Sequence, residues 1–431
     1  MKTVYACFTT DVIHEGHMNI IHAAQKYGRV IIGVLSDEAM VKFERFPTIS
    51  FEKRMELMRS IPEVDRVIEQ KDVMYDEVIE KLRPDYVIHG DNWKEGPTRA
   101  IRNNVERLLA AYGGQIIDVP YTYNENVKYA DDKIKERLSM PEFRRKRLRQ
   151  LLKIRPVVKA LEVHSGITGL IAEKTVVEHK GRLDQFDAMW ISSLCDSTAK
   201  GKPDIELIDM SSRFQTISDV AEVTTKPIIF DGDTGGLAEH FVYTVRSLER
   251  LGVSAVIIED KTGLKKNSLF GTEVAQTQET IENFSEKIRA GKKVQLTEEF
   301  MIIARIESLI LERGMEDALA RARAFVGAGA DAIMIHSRKK DPAEILEFCD
   351  RFRAFNQEAP LVVVPTSFNT ITEEELSEHG ANIVIYANQL TRSAFPAMEQ
   401  TAKDILRYHR AKEVDDRLMP IKDIISLIDT L

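Results

Sequence analysis

The chain has 431 residues, 43% of them hydrophobic and 30% charged, with a formal net charge of -8. That length exceeds one compact core and predicts two domains or more, and the acidic balance argues against nucleic acid as the main partner. Three cysteines without metal-type spacing, Cys7, Cys195 and Cys349, and no apolar run long enough for a bilayer or a signal peptide predict a soluble cytoplasmic protein, not a membrane one.

Residues 2–8 read as a buried strand, followed by a helical pattern through about Lys26. Further strands are expected at Arg29–Leu35, Arg66–Ile68, Tyr86–His89 and Gln115–Val119, with helices between them, among them Phe51–Arg59 and Thr98–Tyr112. This alternation predicts a parallel, doubly wound, Rossmann-like sheet with its ligand at the C-terminal strand ends.

His14-Glu15-Gly16-His17 stands at the exit of the first strand. Two imidazoles at a helix N-terminus can stabilise phosphate charge, and the glycine allows close approach. HxGH in this place resembles the nucleotidyltransferase family, whose cytidylyltransferase members use it during attack on CTP. By that resemblance Lys42 is the phosphate-binding lysine, Arg54 the helix arginine, and Gly90-Asp91-Asn92-Trp93 the GDDW element. His14, His17, Lys42, Arg54, Asp91 and Trp93 are thus the expected nucleotide contacts. Two departures stand out. Phe8 replaces the glycine that usually precedes the motif, and Pro120–Asn126 lacks the Gly-Ile-Ser-Thr core of the family's closing loop. Residues 1–125 are therefore either an active cytidylyltransferase using CTP or a degenerate domain with a structural or regulatory role.

Residues 126–150 lose the strand–helix rhythm and are highly charged. The run Arg144-Arg145-Lys146-Arg147-Leu148-Arg149 reads as the exposed face of a lead-in helix, not as an RNA or membrane patch.

From residue 151 onward apolar runs recur at Val157–Val163, Ala188–Ser192, Pro227–Phe230, Ala255–Ile258, Met301–Ile306, Ala332–Ile335, Leu361–Val364 and Asn382–Tyr386. Eight strands alternating with helices predict a C-terminal (β/α)8 TIM-type barrel, with an open doubly wound sheet as the alternative. Each run ends in polar residues: His164-Ser165, Ser192-Ser193-Leu194, Asp231-Gly232-Asp233, Glu259-Asp260-Lys261, Arg305 with Glu307, His336-Ser337-Arg338, Thr366-Ser367 and Asn388. Charge gathered at one end of every strand marks the face where barrels place their chemistry.

Asp231, Asp233 and Glu259 form an all-oxygen set suited to Mg²⁺, held partly through water and completed by substrate oxygens. Arg305 offers a planar fork for a carboxylate or phosphate. Ser192 and the amides of Ser193 and Leu194 can cradle an anion, and His336 can hydrogen-bond a migrating group. After Glu259 the chain runs through a lysine-rich loop with Gly263 to Asn267-Ser268.

The spacing EDK-x5-NS resembles phosphoenolpyruvate mutase, in the isocitrate lyase superfamily. That resemblance covers roughly residues 150–410 and places the family's site on Ser192, Asp204, Asp231, Asp233, Glu259, Lys265, Asn267, Arg305 and His336. It implies conversion of phosphoenolpyruvate to phosphonopyruvate. Asn267, Ser268 and His336 would hold the phosphoryl group, Asp204 would be a possible relay, and the Gly263 loop would act as a lid. The superfamily's C–C lyases carry a catalytic cysteine in this loop, and none of the three cysteines lies in 259–270. Phosphonopyruvate hydrolase shares most of the pocket, and the Asn267-Ser268 ending favours the mutase. The pairing with the first domain resembles bifunctional proteins of phosphonate biosynthesis, in which CMP is attached to a downstream phosphonate. Relatives of the barrel exchange their last helix, which implies a homodimer or homotetramer through Glu399–Leu431.

Overall fold

The computed structural model describes residues 2–9, 11–42, 47, 49–94, 98–122, 136, 138–179, 182–263 and 265–428. The first five strands are β1 (Thr3–Phe8), β2 (Arg29–Leu35), β3 (Arg66–Gln70), β4 (Tyr86–Gly90) and β5 (Gln115–Val119). They pair in parallel in the order β3-β2-β1-β4-β5. The strands are apolar on both sides, so each face buries its own core. Val4, Ala6, Ile32 and Ile88 pack on one face, and Tyr5, Ile31, Val87 and Trp93 on the other. Because β1 is central and its neighbours lead in opposite directions, the crevice at the C-terminal ends of β1 and β4 is the topological switch point.

Eight parallel strands then close into a barrel. In chain order they are β6 (Val158–Val163), β9 (Ala188–Ile191), β10 (Ile228–Asp231), β11 (Ala255–Glu259), β14 (Met301–Ile306), β15 (Ala332–Ile335), β16 (Leu361–Val363) and β17 (Ile383–Tyr386). Two small hairpins, β7 (Val176–His179) with β8 (Arg182–Gln185) and β12 (Lys261–Thr262) with β13 (Thr277–Gln278), are insertions in this plan. Strand side chains alternate, and it is alternate residues that fill the interior: Ala188 and Trp190, Ala255 and Ile257, Met301 and Ile303. Truncating one of these, for example Ile257→Ala, costs roughly 2–5 kcal/mol because the closed wall cannot collapse onto the void.

The helix Pro141–Ile154 corrects one expectation. Its basic run is not an exposed face, because Arg144 and Arg147 are 2% and 1% exposed. Arg144, Arg147, Leu148 and Leu151 fall at helical spacing on one side, and the two leucines join the barrel's interior core. The guanidinium groups satisfy backbone carbonyls at the N-terminal end of the barrel. Arg144 Nη2 donates to Ser139 O at 2.8 Å and Ala221 O at 3.1 Å, and Arg147 Nη2 donates to Leu138 O at 2.9 Å. The helix is the plug of the barrel floor, and arginine serves there because its fork reaches several carbonyls at once.

Residues Met1–Ala387, which hold the sheet and the barrel, form one compact unit, and Asn388–Leu431 form another. The second consists of the helix Gln389–Tyr408, a 3-10 turn Lys412–Arg417 and a short helix Ile421–Ile425. Asp404 ties it together by accepting from Arg407 at 3.0 Å and Arg417 at 2.6 Å. Among the described residues no helix is long and apolar enough to cross a membrane.

Candidate active sites

At the end of β10 the chain turns through Asp231-Gly232-Asp233. A side chain at 232 would lie 2.7 Å from Val256 Cγ2 and 3.0 Å from Ile257 O, so only glycine lets the turn hug β11. Asp233 takes the left-handed conformation at φ 52°, a strain that persists where surrounding contacts over-determine it. Those contacts are visible. Arg213 Nη1 donates to Asp231 O at 2.6 Å and Asp233 Oδ2 at 2.9 Å, and its guanidinium lies 4.2 Å from the Phe230 ring centroid. Ser193 donates to Asp231 Oδ2 from both its amide, at 3.1 Å, and its hydroxyl, at 2.8 Å.

The loop after β11 folds back over these groups. Lys265 is 4% exposed and donates to Ser193 Oγ at 2.6 Å, to Asp204 Oδ1 at 3.1 Å and to Asp233. Asn267 Nδ2 donates to Asp204 Oδ2 at 2.8 Å. Ser268 donates to Glu307 Oε2 at 2.5 Å while accepting from Arg305 Nη2 at 2.5 Å and Lys261 Nζ at 3.0 Å. Arg305 Nε also donates to Glu307 Oε1 at 2.6 Å, and its Nη1 stands 3.3 Å from Glu259 Oε2. Arg305 Nη2 lies 3.0 Å from His336 Nδ1. Arginine can only donate, so Nδ1 accepts and the imidazole proton sits on Nε2. The predicted residues Asp204, Asp231, Asp233, Glu259, Lys265, Asn267, Ser268, Arg305 and His336 thus converge on one closed network.

Charge in this network is set by competition between burial and pairing. Burial opposes the charge of Asp231, but Lys265, Arg213 and Arg305 bring its carboxyl down to about 2. Burial likewise opposes Lys265, yet Asp233, Asp231, Glu259 and Asp204 hold its ammonium well above the ordinary value. Glu307 is held well below its ordinary value by Arg305 and Lys261 against the same burial. Glu259 goes the other way, because desolvation outweighs Arg305 and Lys261 and raises it. Burial and then Arg305 lower His336, which favours neutral imidazole.

Neither carboxylate oxygen of Glu259 accepts a hydrogen bond among the described residues, although both are buried. The Glu259 oxygens face Lys261 Nζ at 3.1 Å and Arg305 Nη1 at 3.3 Å, and with Asp231 and Asp233 nearby the all-oxygen set suits a hard divalent cation. Among the described residues no three acidic, histidine or cysteine side chains lie close enough to ligate one ion by themselves. A cation here would therefore be held through water and substrate oxygens as well.

Some expectations shift. Ser192 Oγ caps the helix Ser193–Ala199 by accepting from Cys195 N at 3.3 Å, which leaves its hydroxyl hydrogen to donate, whereas the Ser193 amide already donates to Asp231 at 3.1 Å. Leu194 lies in the first turn of that helix. Sequence reading did not assign Arg213, Lys261 or Glu307 to the site. Lys261 and Glu307 adjoin named residues and carried that signal, whereas Arg213 sits in an ordinary amphipathic helix (Met210–Ala221) and carried none. The cysteines stay out of the chemistry: burial raises Cys7 and Cys349 to about 12, and Cys195 donates to Ala387 O at 3.5 Å.

In the N-terminal crevice His14 is the N-cap of the helix Glu15–Gln25, accepting from Gly16 N at 3.1 Å, and His17 lies beside it with ring centroids 4.0 Å apart. A Cβ on Gly16 would sit 3.0 Å from His14 Cε1, so a larger residue would crowd that ring. Asp91 accepts from Tyr121 N at 2.8 Å and fixes the segment after β5. The crevice opens into a cavity of about 970 Å³ with Glu173 and Thr225 of the barrel on its far side; Arg54 is placed away from this cavity, and Trp93 lines it. Arg54 is fully buried, donating to Thr9 O and Leu35 O at 2.7 Å each and to Asp37 at 2.5 Å, so it braces the crevice floor. Trp93 lines the cavity with its indole N–H donating to Asp118 at 2.8 Å and its ring stacked on His89 at 4.2 Å. Lys42 ends the helix Asp37–Lys42, and 123–126 of the expected closing loop lie outside the described residues.

A family model described as Cytidylyltransferase-like matches residues 6–146, and one described as Phosphoenolpyruvate phosphomutase matches residues 148–406. The chain is 31% identical over 281 residues to a phosphoenolpyruvate phosphomutase of Tetrahymena pyriformis, covering 65% of this chain and 89% of that protein. It is 36% identical over 270 residues to a phosphonopyruvate hydrolase of Variovorax sp. (strain Pal2), covering 62% and 92%. The solved structure of a phosphonopyruvate hydrolase complex with oxalate and Mg²⁺ matches at TM-score 0.59 and 33% identity, over 66% of this chain and 94% of that one. With more than half of its length matched and its site residues gathered at the barrel mouth, the chain belongs to the phosphoenolpyruvate phosphomutase family and carries a cytidylyltransferase-like domain ahead of the barrel.

Proposed function

We propose that the barrel isomerises phosphoenolpyruvate to phosphonopyruvate and that the N-terminal domain transfers CMP from CTP to a phosphonate. The observation that carries the first part is the closed loop, whose Lys265, Asn267 and Ser268 all reach into the site from one side. Isomerisation breaks the P–O bond of the enol phosphate and forms a P–C bond at the methylene carbon, so the phosphoryl group must be held while it changes partner. A loose transfer of this kind needs positioning and charge stabilisation more than covalent help.

Arg305 presents two edges of its fork to acidic partners and a third to His336, which fixes its plane for an anionic substrate. His336 offers its Nε2–H as a neutral donor, while Asn267 and Ser268 supply short polar contacts from the lid. Lys265 places positive charge beside Asp204 and Asp233. Mg²⁺ held by Asp231, Asp233 and Glu259, partly through water, would supply electrophilic stabilisation of the enolate and phosphoryl oxygens. The lid excludes water, which would otherwise divert the phosphoryl group to phosphate.

Incubating the protein with phosphonopyruvate and Mg²⁺ under phosphorus NMR tests this. Growth of a phosphoenolpyruvate signal supports the mutase. Release of inorganic phosphate with pyruvate favours the second reading, a phosphonopyruvate hydrolase, which the 36% identical relative keeps in view. No change with metal present defeats both.

Self-association through the tail also fits. Phe395, Met398, Leu406, Ile421 and Ile425 are each 63% exposed or more, a run of apolar surface suited to a second copy of the chain. Light scattering on full-length protein should give a dimer or tetramer, and removal of Asn388–Leu431 should give a monomer.

A further inference from the structure

The lid that carries Lys265, Asn267 and Ser268 stands on a very short stem. Its ladder has two residues on each side, Lys261–Thr262 against Thr277–Gln278. A ribbon that short is marginal on its own in water, so other contacts must fix the angle at which the loop leaves the barrel. Around the base of the stem runs a closed ring of side chains that the phosphoryl chemistry does not use. Asp260 is fully buried and accepts from Glu307 N at 2.9 Å through Oδ1. Its Oδ2 accepts from Gln278 Nε2 at 2.9 Å and from Arg321 Nη1 at 3.0 Å. Gln278 Nε2 also donates to Ser308 Oγ at 3.0 Å, and Ser308 Oγ donates to Asp317 Oδ2 at 2.6 Å. Arg321 Nε donates to that same Asp317 oxygen at 2.9 Å, which closes the ring.

Arg321 belongs to the helix Met315–Gly327, is 8% exposed, and grips both ends of the lid from outside it. Its Nη1 holds Asp260, just before the first stem strand, and also donates to Glu279 O at 2.8 Å, just after the second. The two ends are joined directly as well, Glu279 N donating to Asp260 O at 2.9 Å. On the substrate side the ring continues through Glu307. Asp260 holds its amide, while its carboxylate takes Ser268 and Arg305. Resting on the mutase reading, we propose that Arg321 is a positioning residue for the phosphoryl transfer, clamping the two lid stems together and thereby setting where Asn267 and Ser268 stand when the lid is shut. A guanidinium suits the task because its planar fork serves three acceptors at once, which an ammonium on a flexible stem does not. Without it Asp260 retains the Glu307 amide and Gln278 as its donors among the described residues, and the stem parts more readily. Substrate is then held less firmly and water reaches the phosphoryl group.

The test follows phosphonopyruvate and Mg²⁺ by phosphorus NMR with the full-length native protein and with Arg321→Gln, Arg321→Lys and Gln278→Ala, each checked by thermal unfolding. Arg321→Gln should raise KM for phosphonopyruvate and lower kcat, each about tenfold, because a hinge variant moves both together. It should also release inorganic phosphate beside phosphoenolpyruvate, in a proportion the native protein does not show. Arg321→Lys, which keeps the charge but not the fork, should recover part of the rate and of the product ratio. Gln278→Ala, which loosens the same stem from its other side, should shift KM and the product ratio in the same direction by less, and it decides the matter if the Arg321 variants fail to fold. Native KM and a native product ratio in folded Arg321→Gln or Gln278→Ala, with only melting temperature or active fraction reduced, would make the ring a structural brace; that overturns the inference and leaves the mutase standing. No phosphoenolpyruvate from the native protein overturns the mutase reading and the inference together.

Discussion

The barrel mouth and the nucleotide crevice start from the same plan, a parallel strand running into a polar turn, and they use their charges in opposite ways. In the mouth, Lys265, Arg213 and Arg305 face Asp231, Asp233 and Glu307, and the groups neutralise one another inside a closed chamber. In the crevice, Arg54 turns inward and braces the fold, leaving His14, His17 and Trp93 among the residues that line the cavity. A site that carries out chemistry on a small dianion keeps its charges facing inward. A site that receives a larger nucleotide presents fewer fixed charges, with a second domain as its far wall.

The sharpest way to break this comparison is to remove one charge from each site. Asp231→Ala should cut mutase turnover roughly 1000-fold, because Lys265 and Arg213 lose a partner that sits at about 2 and is therefore ionised throughout the working range. CMP transfer should be unaffected. His17→Ala should do the reverse. Parallel assays of both activities on each variant decide the matter, and joint loss in either variant would show that the sites are not separate.

Within the mouth, Asn267→Ala sharpens the role of the lid. Asn267 joins the loop to Asp204 through a 2.8 Å bond, and without it the loop closes less firmly. The expected result is a loss of about 100-fold in kcat, with part of the remaining flux appearing as inorganic phosphate because water enters. Phosphorus NMR reads both quantities at once. A slower enzyme that still makes only phosphoenolpyruvate would mean that Asn267 positions the phosphoryl group without guarding it.

In the crevice, the inward turn of Arg54 has its own consequence. Arg54→Ala leaves half-exposed Asp37 and the carbonyls of Thr9 and Leu35 without their donor and should destabilise the N-terminal domain by roughly 1–3 kcal/mol. Thermal unfolding should register the loss. If the variant keeps its melting temperature and instead raises KM for CTP, the guanidinium belongs to the nucleotide and not to the floor.

How much of this could be read from the chain depended on which physical signal each residue carries. The strands were legible because short apolar runs bounded by polar turns have few other readings, and Arg29–Leu35, Gln115–Val119 and Met301–Ile306 fall where expected to the residue. The converging acidic and basic residues of the mouth were legible because each lies just past a strand end. Arg144 and Arg147 mislead because a dense charge run suggests solvent. Their spacing with Leu148 and Leu151 already places them on the buried face, and only the carbonyls of the barrel floor show why a cation is welcome there. Arg213 is invisible for a related reason, since its partners lie about twenty residues away on another element. The inward use of Arg54 is equally hidden, because a motif names a residue type and not the direction its side chain takes.

The smallest expected effect separates the two regions by pH. His336 accepts from Arg305 through Nδ1, so its working form is neutral, and burial together with Arg305 lowers it from the ordinary 6.5. A lowered value keeps imidazole neutral to more acidic pH. Mutase kcat should therefore hold as pH falls through 6.5 and decline only below it, with the loss growing as the ring protonates and repels Arg305. His336→Asn, which keeps an amide donor but cannot titrate, should lower kcat modestly and flatten that acid limb. An acid limb at or above 6.5 in the native enzyme would place Arg305 away from the imidazole in the working state. The closed network would then describe the resting lid and not the chamber in which the phosphoryl group moves.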